Sequence, residues 1–424
     1  MSKDAILQIA IAFFAAFIGY SNQGSSFILL MAPLAIYMVF KKDVSYLPAL
    51  MIHCTSETSI MFVVLFSMMI VCITKAKVLF RNFYSRWLLI MLLTIFPIYI
   101  WLTWQRFYLD HDTWQMALTY SFYYPSFWAF PYFYLISNTI TTKNIYYTLV
   151  SMLLFSFLCF ATGDFFRKVI YVVIIVGIVY GVLLLFEKNK KIIGIVLGVS
   201  ILLFFLSLPG LTFTLLLTFV YGLLIAYLSS KQHDTIVQRL TGILPYAIML
   251  LIMVIGISSY TTVNYGAYSE NVDFSDWGKL INRMYFKLFD DRAPFWDTGW
   301  QQLLYYRPVL PKHDIPNISV YLNNGHYLEE VTFGAHNSPI QLFRIFGFLM
   351  GGAMILCYIL CTVSASKVFA VRTINKPALT LFSVSEAYTL VLFVTGTASM
   401  MPSVALFSFG LLGLASGLCK INVK

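Results

Sequence analysis

Apolar residues run along this chain in long unbroken stretches, not at the spacing of a helix or strand with one wet face. They occupy Ala5–Tyr20, Ser25–Phe40, Ser59–Thr74, Trp87–Trp104, Ser126–Ile140, Asn144–Thr162, Val169–Phe186, Ile192–Leu208, Leu211–Leu228, Ile243–Tyr260, Pro339–Leu360, Ala378–Gly396 and Val404–Leu418. Most have the length, or nearly the length, that a helix needs to cross a bilayer. A further stretch, Val44–Cys54, is short. The pattern predicts an all-α polytopic membrane protein in which residues 1–424 form one integral membrane domain, without internal repeats or linkers.

Polar residues gather between these stretches, above all in Thr261–Ser338, which is far longer than an ordinary connection of about 4–6 residues. Two helices are expected inside it. Ser275 caps one from Asp276 to Phe289, with Leu280, Ile281, Met284, Tyr285, Leu288 and Phe289 at helical spacing. The other begins at Pro294 and runs to about Tyr306, with Trp296, Trp300, Leu303 and Leu304 along one face. At the far end of the loop, Ser338 in front of Pro339 is the expected cap of the next apolar helix. His336 and Asn337 are then at its water-facing mouth.

Composition supports the membrane reading. Apolar residues make up 60% of the 424 and charged residues only 11%, where a soluble domain carries roughly 25% charged residues. The net charge of +10 follows from topology, because cytoplasmic loops collect Lys and Arg. Lys41 and Lys42 precede the short stretch, and Lys75, Lys77, Arg81 and Arg86 follow Ser59–Thr74, so both flanks are expected on the cytoplasmic side. Counting the short stretch as a crossing gives about fourteen segments, with Thr261–Ser338 on the outer face. Nucleic acid need not be invoked. The cysteines lie within or beside apolar stretches, so no disulfide framework or CxxC metal motif is expected.

Two readings of Arg292 stand. A guanidinium beside the amides of a helix N-terminus suits a phosphate; alternatively it pairs with Asp290, Asp291 or Asp297. Arg167 and Lys168, which the topology places outside, either bind an anion there or pair with Asp164 or bind lipid head groups. His336 is either a solvated loop residue or, neutral near a helix N-terminus, a general base. Arg344 follows about two turns into the helix on the same face. Glu386 sits within an apolar stretch without an assigned role.

Arg292-Ala-Pro-Phe-Trp296, then Ala335-His336-Asn337, then an apolar helix with Gly347, Gly351 and Gly352 resembles the signature of the O-antigen polymerase and ligase superfamily. The likeness lies in the outer loop and the helix after it. A further family element, a T-G-S-R-K-like helix start, corresponds to Thr162-Gly163-Asp164-Phe165-Phe166-Arg167-Lys168-Val169, where Asp-Phe-Phe replaces one serine. The resemblance implies a GT-C-like architecture in a bacterial inner membrane, with the active site facing the periplasm. It implies a metal-independent glycosyltransferase without cofactor, whose donor is an undecaprenyl-diphosphate-linked oligosaccharide. A flippase and a chain-length regulator are implied as partners.

In this reading His336 takes the acceptor proton, and Arg292, with Arg167, Lys168, Arg307, Arg344 and Asn337, meets the diphosphate. Trp296, Trp300 and Tyr305 either stack on sugars or pack the loop. Polymerase is the leading expectation and ligase the alternative. A flippase or transporter is the reading from a different class.

Overall fold

The computed structural model describes residues 3–21, 25–55, 60–109, 123–162, 293–311, 318–323, 328–333, 337–369, 376–382 and 402–421, with isolated positions 247, 251, 254, 315, 384 and 385. The chain is mostly helical: α1 (Lys3–Ser21), α2 (Ser25–Lys41), α3 (Leu47–Thr55), α4 (Ile60–Thr74), α5 (Ala76–Leu79), α6 (Phe83–Leu109), α7 (Tyr123–Ser126), α8 (Ala129–Ile136), α9 (Thr142–Thr162), α10 (Ala293–Tyr306), α11 (Ser338–Ala365) and α12 (Pro402–Ile421). Among the described residues two helical stretches, Phe83–Leu109 and Ser338–Val368, are long and apolar enough to cross a membrane, the second interrupted at Gly347.

The all-α expectation needs one correction. An antiparallel hairpin joins β1 (Ile318–Asn323) to β2 (Leu328–Phe333), with Val320 opposite Val331 and Asn323 opposite Leu328. Branched and aromatic residues on both arms favour the extended backbone, and the four intervening residues begin with Asn324-Gly325, a turn signal. Two strands alone are marginal. Here β1 packs on α10 and its Ile318 is fully buried.

Two expected crossings are shorter than the apolar stretches that predict them. Within Val44–Cys54, a 3₁₀ turn (Val44–Tyr46) leads into α3, whose nine residues rise about 13 Å, under half the roughly 30 Å of a hydrocarbon core. Over Ser126–Ile140 the chain ends α7 at Ser126, turns, forms α8 and then makes a 3₁₀ turn over Ser137–Thr139. Irregular backbone in an apolar setting has to be covered by protein. Tyr124 to Tyr134 is indeed buried throughout.

Side chains satisfy polar groups that helix ends and a helical proline leave open. Tyr132 Oη donates to the Val39 carbonyl at 2.9 Å, one of the last four of α2, which lack partners within the helix. Tyr124 Oη donates to the Leu92 carbonyl at 2.8 Å, in the turn that Pro97 disturbs. Asn82 caps α6, accepting from the backbone amides of Tyr84 and Ser85, while its Nδ2 donates to Tyr134 Oη.

α12 covers α8. Its glycines 410, 413 and 417 recur at three- and four-residue spacing and so share a face. A Cβ on Gly410 would lie 2.9 Å from the Phe133 ring, one on Gly413 would strike the Phe130 carbonyl, and one on Gly417 would strike Ser137 Oγ. Only glycine lets the two backbones approach this closely. Ser364 Oγ and Ser416 Oγ, 2.6 Å apart and buried, tie α11 to the same helix.

Cations collect at one end of the bundle. Lys41 ends α2, its Nζ donating to Tyr37 Oη at 2.9 Å and Tyr46 Oη at 3.3 Å. Lys75, Lys77, Arg81 and Arg86 lie between α4 and the first turn of α6. Lys367, just past α11, stacks its ammonium over the Tyr84 ring at 4.6 Å, which brings the C-terminal end of α11 to this group.

Gly413→Leu is expected to force α12 off α8, costing at least about 1–3 kcal/mol as overpacking does. Thermal unfolding of the detergent-solubilised protein checks this, and an unchanged midpoint would remove the close approach from the account of stability.

Candidate functional site

α10 begins with Ala293-Pro294, a start that suits a helix because the missing proline N–H has no partner in the first turn anyway. The predicted span was Pro294 to Tyr306, one residue shorter. Its faces differ from expectation: Phe295, Trp296, Gly299 and Leu303 are buried, whereas Trp300, Leu304 and Tyr305 are exposed. The indole of Trp296 is 1% exposed and packs as core, while Tyr305 is 81% exposed. Of the three aromatics expected to stack on sugars, Trp300 and Tyr305 have accessible faces.

At the start of α11 the cap is Asn337, one residue before the expected Ser338. Its backbone is extended (φ −148°, ψ 115°) and its Oδ1 accepts from the Ile340 amide at 3.2 Å, satisfying a donor the helix leaves open. Asn337 and Ser338 are 1% and 2% exposed. The first residues of the helix are therefore covered by protein.

Arg344 lies two turns further on and is buried. Its Nε donates to Gln302 Oε1 of α10 and its Nη1 to Gln341 Oε1, both at 2.9 Å. A buried guanidinium requires acceptors along its fork, and two glutamine carbonyls supply them here. Arg344 thus links the two helices.

α11 is not one rod. Gly347 has φ 74° and ψ 170°, a region essentially restricted to glycine. Beyond it the chain folds back: a Cβ on Gly351 would lie 2.9 Å from the Leu342 carbonyl oxygen and from the Phe343 ring, although a straight helix separates residues 342 and 351 by about 13 Å. The Phe343 and Phe348 rings also meet, 5.4 Å apart. Residues 338–346 are accordingly a short arm, and the continuous apolar part is 348–365. This corrects the single expected crossing Pro339–Leu360, and Arg344 belongs to the arm.

The break frees backbone amides, and the chain after α10 takes them up. Phe348 N–H donates to the Pro308 carbonyl at 2.7 Å and Leu349 N–H to the Val309 carbonyl at 3.1 Å. Arg307 makes this strap possible by adopting a left-handed backbone (φ 43°) that ends α10. Its own N–H donates to the Leu303 carbonyl and its Nε to the Leu304 carbonyl, and its side chain is exposed.

Gln302 of α10 meets Arg344 of the arm, and the residues just past each, Pro308 to Leu310 and Gly347 to Leu349, meet as well. The C-terminal ends of α10 and of the arm therefore lie together. The structure thus brings Gln341 and Arg344 together with Gln302 on α10, and Asn337 caps the same arm. Gln302 and Gln341 were absent from the sequence-based site. Gln341, four residues after Asn337, is a buried amide that an apolar helix start would not otherwise carry.

His336, Arg292, Arg167, Lys168, Glu386 and the helix expected over Asp276–Phe289 lie outside the described residues. His336 is bonded to the cap residue Asn337, and Arg292 to the first residue of α10. Among the described residues no three His, Cys, Asp or Glu side chains gather as a metal site would require. Cys72, Cys357, Cys361 and Cys419 are buried free thiols. Comparison with protein-family models, with curated proteins and with solved structures found no match.

Gly347→Ala should be poorly tolerated, because its Cβ would sit 2.6 Å from the Leu310 backbone carbon and its backbone adds strain of about 1–3 kcal/mol. Reduced yield and a lowered unfolding midpoint are expected. A Gly347→Ala protein as stable as the parent would mean that the arm does not fold back on the strap.

Proposed function

We propose that the protein is a multi-pass inner-membrane glycosyltransferase that polymerises lipid-linked oligosaccharide repeat units on the periplasmic face. Its chain crosses the bilayer about fourteen times in this reading. The observation that supports it most is the side-by-side arrangement of α10 and the arm 338–346. The two parts of the signature, Arg292 to Trp296 and His336-Asn337, run into the starts of two helices that touch at Gln302 and Arg344 and meet at their C-terminal ends. Arg344 and the strap hold those helices together.

In the proposed reaction an acceptor sugar hydroxyl attacks the anomeric carbon of the donor. The new C–O bond forms as the bond to the lipid diphosphate breaks, and in-line attack inverts the anomeric configuration. The hydroxyl proton passes to the neutral imidazole of His336. Negative charge grows on the departing diphosphate, and Arg292, with Arg167 and Lys168, stabilises it there. Arg344 is a positioning residue in this scheme, since its fork is engaged by Gln302 and Gln341. A ligase that moves the finished glycan to lipid A core would use the same donor and the same groups.

One observation favours a transporter as the second reading. Interrupted helices, here α7–α8 and α11, are the elements from which many transporters build a site near the bilayer midplane. The two readings separate by product: a transporter moves the lipid-linked sugar without lengthening it.

His336→Ala should lower turnover by about 10²–10⁴-fold while sparing expression and donor binding. Host cells should then accumulate single repeat units; a ligase defect would instead leave long chains on the carrier lipid, and a transporter defect would trap single units on the cytoplasmic side. Arg292→Lys, which keeps the charge but loses the fork, should be nearly as impaired as Arg292→Ala. Glycan chains of normal length from well-expressed variants would end the catalytic assignment.

The orientation is tested separately. In intact spheroplasts an impermeant maleimide should label Tyr305→Cys, and it should label Lys77→Cys only after permeabilisation. The opposite pattern would invert the topology.

A further inference from the structure

The strap that closes the Gly347 break carries an exposed apolar surface. Val309 is 64% exposed and Leu310 51%, and Leu304 on the last turn of α10 is equally open. The surface continues through the exposed Phe348 and Leu349 to Leu356 on the continuous part of α11. At its edge stand Trp300, Tyr305 and Arg307, all exposed.

We propose that this face is an anchor in the outer edge of a phospholipid bilayer, with Val309, Leu310 and Leu304 in the acyl region and Arg307 on a lipid phosphate. The proposal rests on the membrane placement above, and depth carries it. Lys367 marks the basic end of the bundle, and Phe348 lies about 28 Å from it along the helix, close to the roughly 30 Å of a hydrocarbon core. Phe348 and Leu349 are thus at the opposite boundary.

The Pro308 and Val309 carbonyls accept hydrogen bonds from those two residues, so the strap shares their depth. Exposed apolar side chains at that level meet acyl chains. A cation next to them in the chain, Arg307, suits the headgroup layer. Arg307 engages Nε with the Leu304 carbonyl, leaving the two terminal nitrogens of its fork to face a phosphate.

The test uses the full chain in nanodiscs of phosphatidylethanolamine and phosphatidylglycerol. A fluorescent noncanonical amino acid replaces Val309 in one variant and Leu356 in another. Nitroxide lipids labelled at the headgroup or in mid-chain, and aqueous iodide, serve as quenchers. The Val309 probe should be quenched most by the headgroup nitroxide, the Leu356 probe by the mid-chain one, and neither strongly by iodide. Arg307→Glu in the Val309-probe background should raise iodide quenching; no change would remove the phosphate contact.

Iodide quenching at Val309 with mid-chain quenching at Leu356 overturns the anchor and leaves the membrane placement standing. Iodide quenching at both positions overturns that placement itself. A Val309 probe shielded from all three quenchers also overturns the anchor, since protein, such as a second copy of the chain, would then cover the face.

Discussion

A backbone amide that loses its helical partner in apolar surroundings has to find another, and around Gly347 this requirement organises the structure. The break leaves the amides of Phe348 and Leu349 without the carbonyls one turn back, and the Pro308 and Val309 carbonyls replace them. That replacement is possible only because α10 ends sharply at Arg307. The fold-back, the strap and the end of α10 therefore depend on one another. Arg344 and Gln302, one turn deeper, are held at bonding distance as a result.

The same rule explains the covered segment over residues 123–139. Its two short helices cannot satisfy all their own polar groups, so it lies at the centre of the bundle, where tyrosine hydroxyls reach to neighbouring helices. Aromatic packing closes the space around it, with Phe127 against Phe409 at 4.4 Å and Tyr99 stacked on Tyr124 at 4.9 Å. Close approach of α12 then requires glycine where the two backbones meet.

Features with a local cause were legible in the sequence. α10 could be read because Pro294 marks its start and the apolar spacing marks its length, while its buried side depends on β1 and α11 and so could not. The cap of α11 fell one residue away because Asn337 and Ser338 are both good capping residues. The hairpin was readable from Asn324-Gly325 between two branched and aromatic runs, but the expectation of helices in the loop displaced it.

The break at Gly347 left no local trace, since a lone glycine in an apolar run usually continues a helix. Its cause lies in carbonyls about forty residues upstream. The resemblance nevertheless drew attention to Gly347 and Gly351, and the geometry gives each a physical reason: the first turns the chain and the second lets the arm cross it. The cations on the two flanks of Val44–Cys54 lie at one end of the bundle, while α3 between them is too short to span a hydrocarbon core.

The union of α8 with α12 also has a consequence in time. Residues 402–421 leave the ribosome long after residues 129–136, so during synthesis the interrupted segment waits with one side uncovered. Pairings between distant parts of a chain are the slow ones to form, and a waiting segment with an uncovered apolar face is one that another chain can occupy. A glycine face that admits one partner at very short range narrows the choice of occupant, so the three glycines of α12 act on the fidelity of assembly as well as on the packing of the finished protein.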